Sequence, residues 1–219
     1  MKFKAVIYDM DGLLVDSMIH WIKMDQNFFA QFGIELTNDM IRYMTGRSEE
    51  ENIRWVKETY NIHYSYDDLL KTRTAQVDDI YQIDTDEMPG ASALIDAIQK
   101  KGLKQAIASG ARHRWIETVV RRFNWHEHID HMISVEHVEH RGKPEPDVFL
   151  HTAKIMDIKP EHCVVFEDAE NGVVAAKHAG MACVAVPDER WSFGDFSEAD
   201  LIVDSLEDKR IYKFLGFID

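Results

Sequence analysis

Short apolar runs recur along this chain, and between most of them the apolar residues fall at helical spacing. That alternation restricts the fold more than any other feature. Residues 3–8 (FKAVIY), 104–109 (KQAIAS), 130–134 (DHMIS), 163–168 (CVVFED), 182–186 (ACVAV) and 201–203 (LIV) read as strands. Helices are predicted at about 91–101, 112–123, 146–157 and 171–178, several of them stopped by glycine. Strands that alternate with helices build a parallel sheet covered on both faces.

The stretch after the first strand breaks the pattern. From residue 18 to 83 there is no good strand. Met18, Ile22, Phe29 and Phe32 lie at helical spacing and Gly33 ends the run. Thr37 or Asn38 is placed to cap a second helix, Ser48-Glu49-Glu50-Glu51 has capping-box form for a third, and Ser65-Tyr66-Asp67-Asp68 precedes a fourth that runs to about residue 83. The expected fold class is α/β: a Rossmann-like parallel sheet core, formed by residues 1–16 and 85–219, with an all-helical insert at 17–84.

Composition excludes several functions. With 219 residues, 45% of them hydrophobic, the chain can bury a proper core without staples. A formal net charge of −14 argues against binding to phosphate backbones, so no nucleic acid is expected. No apolar stretch approaches the roughly 18–20 residues that span a bilayer, and the N-terminal run is broken at once by Asp9 and Asp11, which suits neither a membrane span nor a signal peptide. Cys163 and Cys183 lie in apolar runs and read as reduced thiols of a cytoplasmic protein. Neither a dinucleotide fingerprint nor a P-loop occurs. A monomer is expected.

Ligands of an open parallel sheet bind at the carboxyl ends of the strands. Asp9 and Asp11 follow the first strand, Ser109-Gly110 ends the second, and Glu167-Asp168 ends the fourth. Singly, each has a plainer explanation: an Asp-x-Asp is usually a loop or cap, a Ser-Gly a turn, a Lys-Pro such as Lys143-Pro144 surface, a Glu-Asp pair the cap of the helix that follows. Brought to one edge, the four carboxylates repel each other, and a hard divalent cation such as Mg²⁺ resolves the conflict. Lys143 adds a cation from another loop, and Ser109-Gly110 adds a hydroxyl and backbone N–H groups at a helix start. Acids, metal, lysine and helix terminus together suit phosphoryl transfer.

Four motifs in this order resemble the haloacid dehalogenase-like hydrolases, in the branch of sugar-phosphate phosphatases and β-phosphoglucomutases with a helical cap. They are Asp9-Met10-Asp11-Gly12-Leu13-Leu14-Val15-Asp16-Ser17, Ala108-Ser109-Gly110, Gly142-Lys143-Pro144-Glu145-Pro146-Asp147, and Phe166-Glu167-Asp168-Ala169-Glu170-Asn171-Gly172. Ala169 departs from the Ser common among relatives and leaves the acids intact. The resemblance implies a phosphatase acting on a small phosphorylated metabolite, with Asp9 as nucleophile and Asp11 as general acid and base. Ser109 and Lys143 would hold the phosphoryl oxygens. Asp9, the Asp11 carbonyl and Asp168 would bind Mg²⁺, and Glu167 would be a further ligand or a neighbour of one. It also implies a cis bond before Pro144.

The same core acids serve a phosphatase and a phosphomutase. Mutase relatives carry His twelve positions after the nucleophile, where this chain has Trp21, with His20 one residue earlier and about 100° around a helix. An aromatic there resembles hexose-phosphate phosphatases, where it covers a sugar ring. Arg47, in a predicted cap loop, reads as either a substrate-reaching or a surface residue, and Gly110 as part of the anion cradle. Lys71 and Arg73 face either the cleft or Asp67 and Asp68. Histidines 126, 128, 131, 137 and 140 are closely spaced without a strong metal pattern and read as a solvated surface. His113 reads as a surface residue at a helix start, and Trp191, Phe193 and Phe196 as local packing in a loop.

Overall fold

The computed structural model describes residues 2–74 and 77–218. Its centre is a six-stranded, all-parallel sheet. The strands are β1 (Ala5–Tyr8), β2 (Lys104–Ser109), β3 (His131–Ser134), β4 (Cys163–Glu167), β5 (Ala182–Ala185) and β6 (Leu201–Ile202), in the order β3-β2-β1-β4-β5-β6. Burial on both faces explains the nearly unbroken apolar character of the central strands β1 and β4. Alternate residues serve opposite layers. Val6, Tyr8, Ile107, Val164 and Phe166 pack on one face, while Ala5, Ile7, Ala106, Ala108 and Val165 pack on the other.

Helices α1 (Met18–Ala30), α2 (Asn38–Met44), α3 (Glu49–Thr59) and α4 (Tyr66–Thr74) follow β1, and a single turn, α5 (Val77–Asp79), leads back. Phe28, Phe29, Met40, Met44, Ile53, Val56, Ile62 and Leu69 give these helices a small core of their own. The expected fourth helix to about residue 83 is met on both sides of Ala75 and Gln76, which lie outside the described residues: Tyr66–Thr74 and Val77–Asp84 are helical. Its last turn, Ile80–Asp84, is a wide π-type turn. Thr85 closes that turn with both its N–H (3.0 Å) and its hydroxyl (2.7 Å) on the Ile80 carbonyl. The chain re-enters beside the place where it left, with the Asp16 N–H on the Asp86 carbonyl and the Met88 N–H on the Leu14 carbonyl.

Beyond this point α6 (Ala91–Lys100), α7 (His113–Arg122), α8 (Asp147–Ile155) and α9 (Glu170–His178) alternate with the strands as the sequence predicts. A last helix, α10 (Lys209–Phe214), was not expected. Its six residues are too few to show a period, and Asp208 caps it by accepting from the Arg210 N–H at 2.8 Å. Among the described residues no helix is long and apolar enough to cross a membrane.

Of the two candidates, Thr37 caps α2. Ser48 and Glu51 form the expected capping box of α3, and Glu51 Oε2 also accepts from the Gly142 N–H at 3.2 Å, which fastens the helix to the loop before Lys143. Ser48→Ala is expected to lower stability by about 1 kcal/mol, read from urea unfolding, because the Glu51 N–H in the first turn of α3 loses its acceptor.

Candidate active site

The strand order reverses direction between β1 and β4, so the crevice beyond their carboxyl ends is where an α/β sheet takes its ligand. Tyr8 is level with Ile107 on one side and with Phe166 on the other. The residues that follow, Asp9, Ser109, Glu167 and Asp168, therefore emerge together. One cavity between the strand ends and the helical insert is lined by Asp9, Asp11, Ser109, Gly110, Glu167 and Asp168 from below and by Trp21 and Arg47 from above.

Lys143 does not line this cavity. It lies beneath it, fully buried, with Nζ ion-paired to Asp9 Oδ1 and Glu167 Oε1. The bond before Pro144 is cis, as expected. Oxygens of Asp9, Glu167 and Asp168 lie within 4.8 Å of one another, the one such group among the described residues. Burial pushes these carboxyls up. Asp9 rises although Lys143 opposes it, and Glu167 reaches about 7. Asp168 rises well above its ordinary value through burial and the neighbouring Asp9. Burial opposes the Lys143 ammonium too, but Asp9 and Glu167 outweigh it and hold its pKa above the usual value.

Three buried carboxylates thus face one lysine, and the site lacks positive charge. That deficit and the all-oxygen donor set fit a hard divalent cation.

The Asp11 side chain points elsewhere. Its Oδ1 accepts from the Ser17 hydroxyl at 2.5 Å and the Tyr81 phenol at 2.7 Å, and burial, then Asp9, raise its pKa to about 6. Tyr81 in turn accepts from Trp21 Nε1 at 3.1 Å. Ser109 Oγ accepts from the Ala111 N–H at 3.0 Å and so shapes the turn into α7. A Cβ on Gly110 would come within 2.8 Å of the Arg47 carbonyl, so the loop between α2 and α3 closes on bare backbone there. Gly12, at φ +85°, is equally restricted: a Cβ would meet Asp168 Oδ2 at 2.2 Å.

Several expectations need adjustment. Arg47 lines the cavity, but its guanidinium stacks on Tyr43 at 4.2 Å and donates to the Tyr43 carbonyl, so the backbone of Arg47 does the sealing. Arg73 pairs with neither Asp67 nor Asp68. It is buried against Asp25 and Glu49 at the upper end of the cavity. Trp191, expected as local packing, donates from Nε1 to Asp168 Oδ2 at 2.9 Å. The histidine stretch 126–140 forms no metal-holding group among the described residues. His128 meets Asp96, His140 meets Glu50, and His137 lies between His113 and His151. Tyr81, Trp191 and Arg73 escape a linear reading because each finds its partner far along the chain. The only local signal is a Trp set among polar loop residues at 189–192.

The raised carboxyls have a consequence for the metal-free protein. Asp11 and Asp25 at about 6 and Glu167 at about 7 bind protons in the folded state that the unfolded chain has already released. Their stabilising protonation is complete below about pH 4 and is lost as pH rises through 6 to 7. Urea stability measured in chelator is expected to fall between pH 5 and 8, with a shallower slope in Glu167→Gln.

The family model described as haloacid dehalogenase-like hydrolase matches residues 6–186. The (DL)-glycerol-3-phosphatase 2 of Arabidopsis thaliana is 34% identical over 210 residues, which span 93% of this chain and 87% of the relative. The β-phosphoglucomutase of Bacillus subtilis is 30% identical, over 94% of this chain and 91% of its own. In fold, the chain is similar to the crystal structure of β-phosphoglucomutase from Clostridium difficile, with a TM-score of 0.81 at 21% identity, covering 97% and 96% of the two chains.

Proposed function

The chain belongs to the haloacid dehalogenase-like hydrolase family, and we propose that it is a Mg²⁺-dependent phosphatase of small phosphorylated metabolites, sugar phosphates in the first place. The observation that carries this is the buried group of Asp9, Glu167 and Asp168 around Lys143, with the carboxyl of Asp11 held apart from it. Residues 1–16 and 85–219 are the catalytic core, and residues 17–84 the cap. Two unpaired, buried cysteines support a reducing setting, the cytoplasm.

Asp9 attacks phosphorus through a carboxylate oxygen, and the bond from phosphorus to the leaving oxygen breaks. Asp11 gives that oxygen a proton. In the second half a water attacks the aspartyl-phosphate, Asp11 takes the water's proton, phosphate leaves and Asp9 is restored. The hydrogen bonds from Ser17 and Tyr81 hold Asp11 in position for both transfers. Lys143 favours the ionised form of Asp9 from beneath the cavity, and the Ser109-Gly110 turn, which lines it, holds phosphoryl oxygens. Asp9, Asp168, the Asp11 carbonyl and Glu167 would hold Mg²⁺, which supplies positive charge against that of the phosphoryl group.

The chain's Trp21, tied to Tyr81 at the mouth of the site, supports water rather than a second sugar position as acceptor. The expected outcome is metal-dependent release of free phosphate from hexose or pentose monophosphates, lost in chelator and in Asp9→Asn. Interconversion of phosphate positions without release would establish the mutase instead. Trp191→Phe is expected to weaken Mg²⁺ binding about tenfold in calorimetry, because Asp168 loses the donor that orients it.

A further inference from the structure

The far end of the same cavity carries polar groups that the chemistry above does not use. Asp25 from α1, Glu49 and Asn52 from α3 and Arg73 from α4 all line it, and each is more than nine-tenths buried. Arg73 donates from Nε to Glu49 Oε1 at 2.7 Å and pairs through Nη1 with Asp25 Oδ1 at 2.6 Å, and its guanidinium packs on the Phe28 ring at 5.3 Å. Asn52 donates from Nδ2 to the Met44 carbonyl at 3.1 Å, while its Oδ1 is buried without a partner.

An arginine at the closed end of a phosphatase cavity would ordinarily receive a second anionic group. Here two carboxylates hold it, and the group carries one net negative charge. Beside the ion group, the buried polar atom left without a hydrogen-bond partner is an acceptor, Asn52 Oδ1, and the wall around it carries two carboxylates against one guanidinium. Acceptors on an anionic wall repel a carboxylate or phosphate and accept from hydroxyls. An ammonium is a poor fit, because it would be desolvated close to the Arg73 cation.

We infer that this group is a specificity site for the uncharged, polyhydroxylated end of a monophosphate, and that it rejects substrates carrying a second anion there. The inference rests on the phosphatase reading of the cavity.

The test compares three substrates that differ only at the far end of the carbon chain: hexitol 6-phosphate, the corresponding aldonate 6-phosphate and hexitol 1,6-bisphosphate. The wild type is expected to prefer the monophosphate of the neutral polyol by about tenfold or more in kcat/KM, carried mainly by KM. Glu49→Gln, which removes one charge and keeps the shape, is expected to bring the aldonate within about threefold of the polyol. Asp25→Asn is read the same way should Glu49→Gln fail to fold. Equal or better turnover of the aldonate or the bisphosphate by the wild type overturns the inference and leaves the phosphatase standing. So does an unchanged ratio in the folded variants. Failure to release phosphate from any phosphomonoester, metal present, overturns both.

Discussion

The lysine beneath the strand ends is the interaction on which this site depends. Lys143 Nζ is wholly removed from water, and it is tolerable there only because Asp9 and Glu167 meet it. The converse also holds. Asp9 is buried next to Asp168 and Glu167, and without the ammonium its carboxyl would more readily take a proton and lose the nucleophilic role proposed for it. Lysine and acids are thus held by each other, not by solvent. Since they come from β1, β4 and the loop before α8, the sheet and that loop must be correctly assembled before the cluster exists. The remaining excess of negative charge is what a divalent cation answers.

Asp11 solves a different problem from Asp9, although only Met10 separates them. In the proposed mechanism one must remain a carboxylate, and the other must exchange a proton. The backbone turn after β1 sends their side chains to different surroundings: Asp9 to a cation, Asp11 to two hydroxyl donors. The more remote of these donors, Tyr81, sits in the wide turn that returns the chain to the core. Arg122 of α7 fixes this turn by donating to the Tyr81 and Ile83 carbonyls at 3.1 and 2.9 Å. Tyr81, the partner of the proposed general acid, is therefore tied to α7, while Trp21 of α1 meets it from the other side.

The sheet, its order of helices and the acids at its edge were legible in the sequence because they leave local marks. A strand buried on both faces is an unbroken apolar run, and a carboxylate at its end interrupts that run. The capping box of α3 is likewise contained in four residues. What stayed hidden depends on pairing at a distance. Arg73 has acids close by in sequence, yet its partners lie on α1 and α3. Trp191 reaches Asp168 across 23 positions and Tyr81 reaches Asp11 across 70. The wide turn at 80–84 was invisible for another reason: its closing hydrogen bonds come from Thr85, which by composition alone reads as an ordinary loop residue.

Charge also divides the labour between the two ends of the cavity. In the proposed reaction the strand ends need a deficit of cations, since a metal and a phosphoryl group would meet there and be balanced together. At the end formed by α1, α3 and α4 the proposed reaction has no step, and a buried arginine would have been free to recruit a second phosphate. Its neutralisation by Asp25 and Glu49 costs desolvation of three charges for no gain in packing over apolar side chains of like volume. A buried ion group of this kind is poorly explained by stability. It is well explained by discrimination, because a carboxylate wall acts on a competing anion through repulsion and unpaired desolvation, and it acts on hydroxyls through acceptors that are already in place.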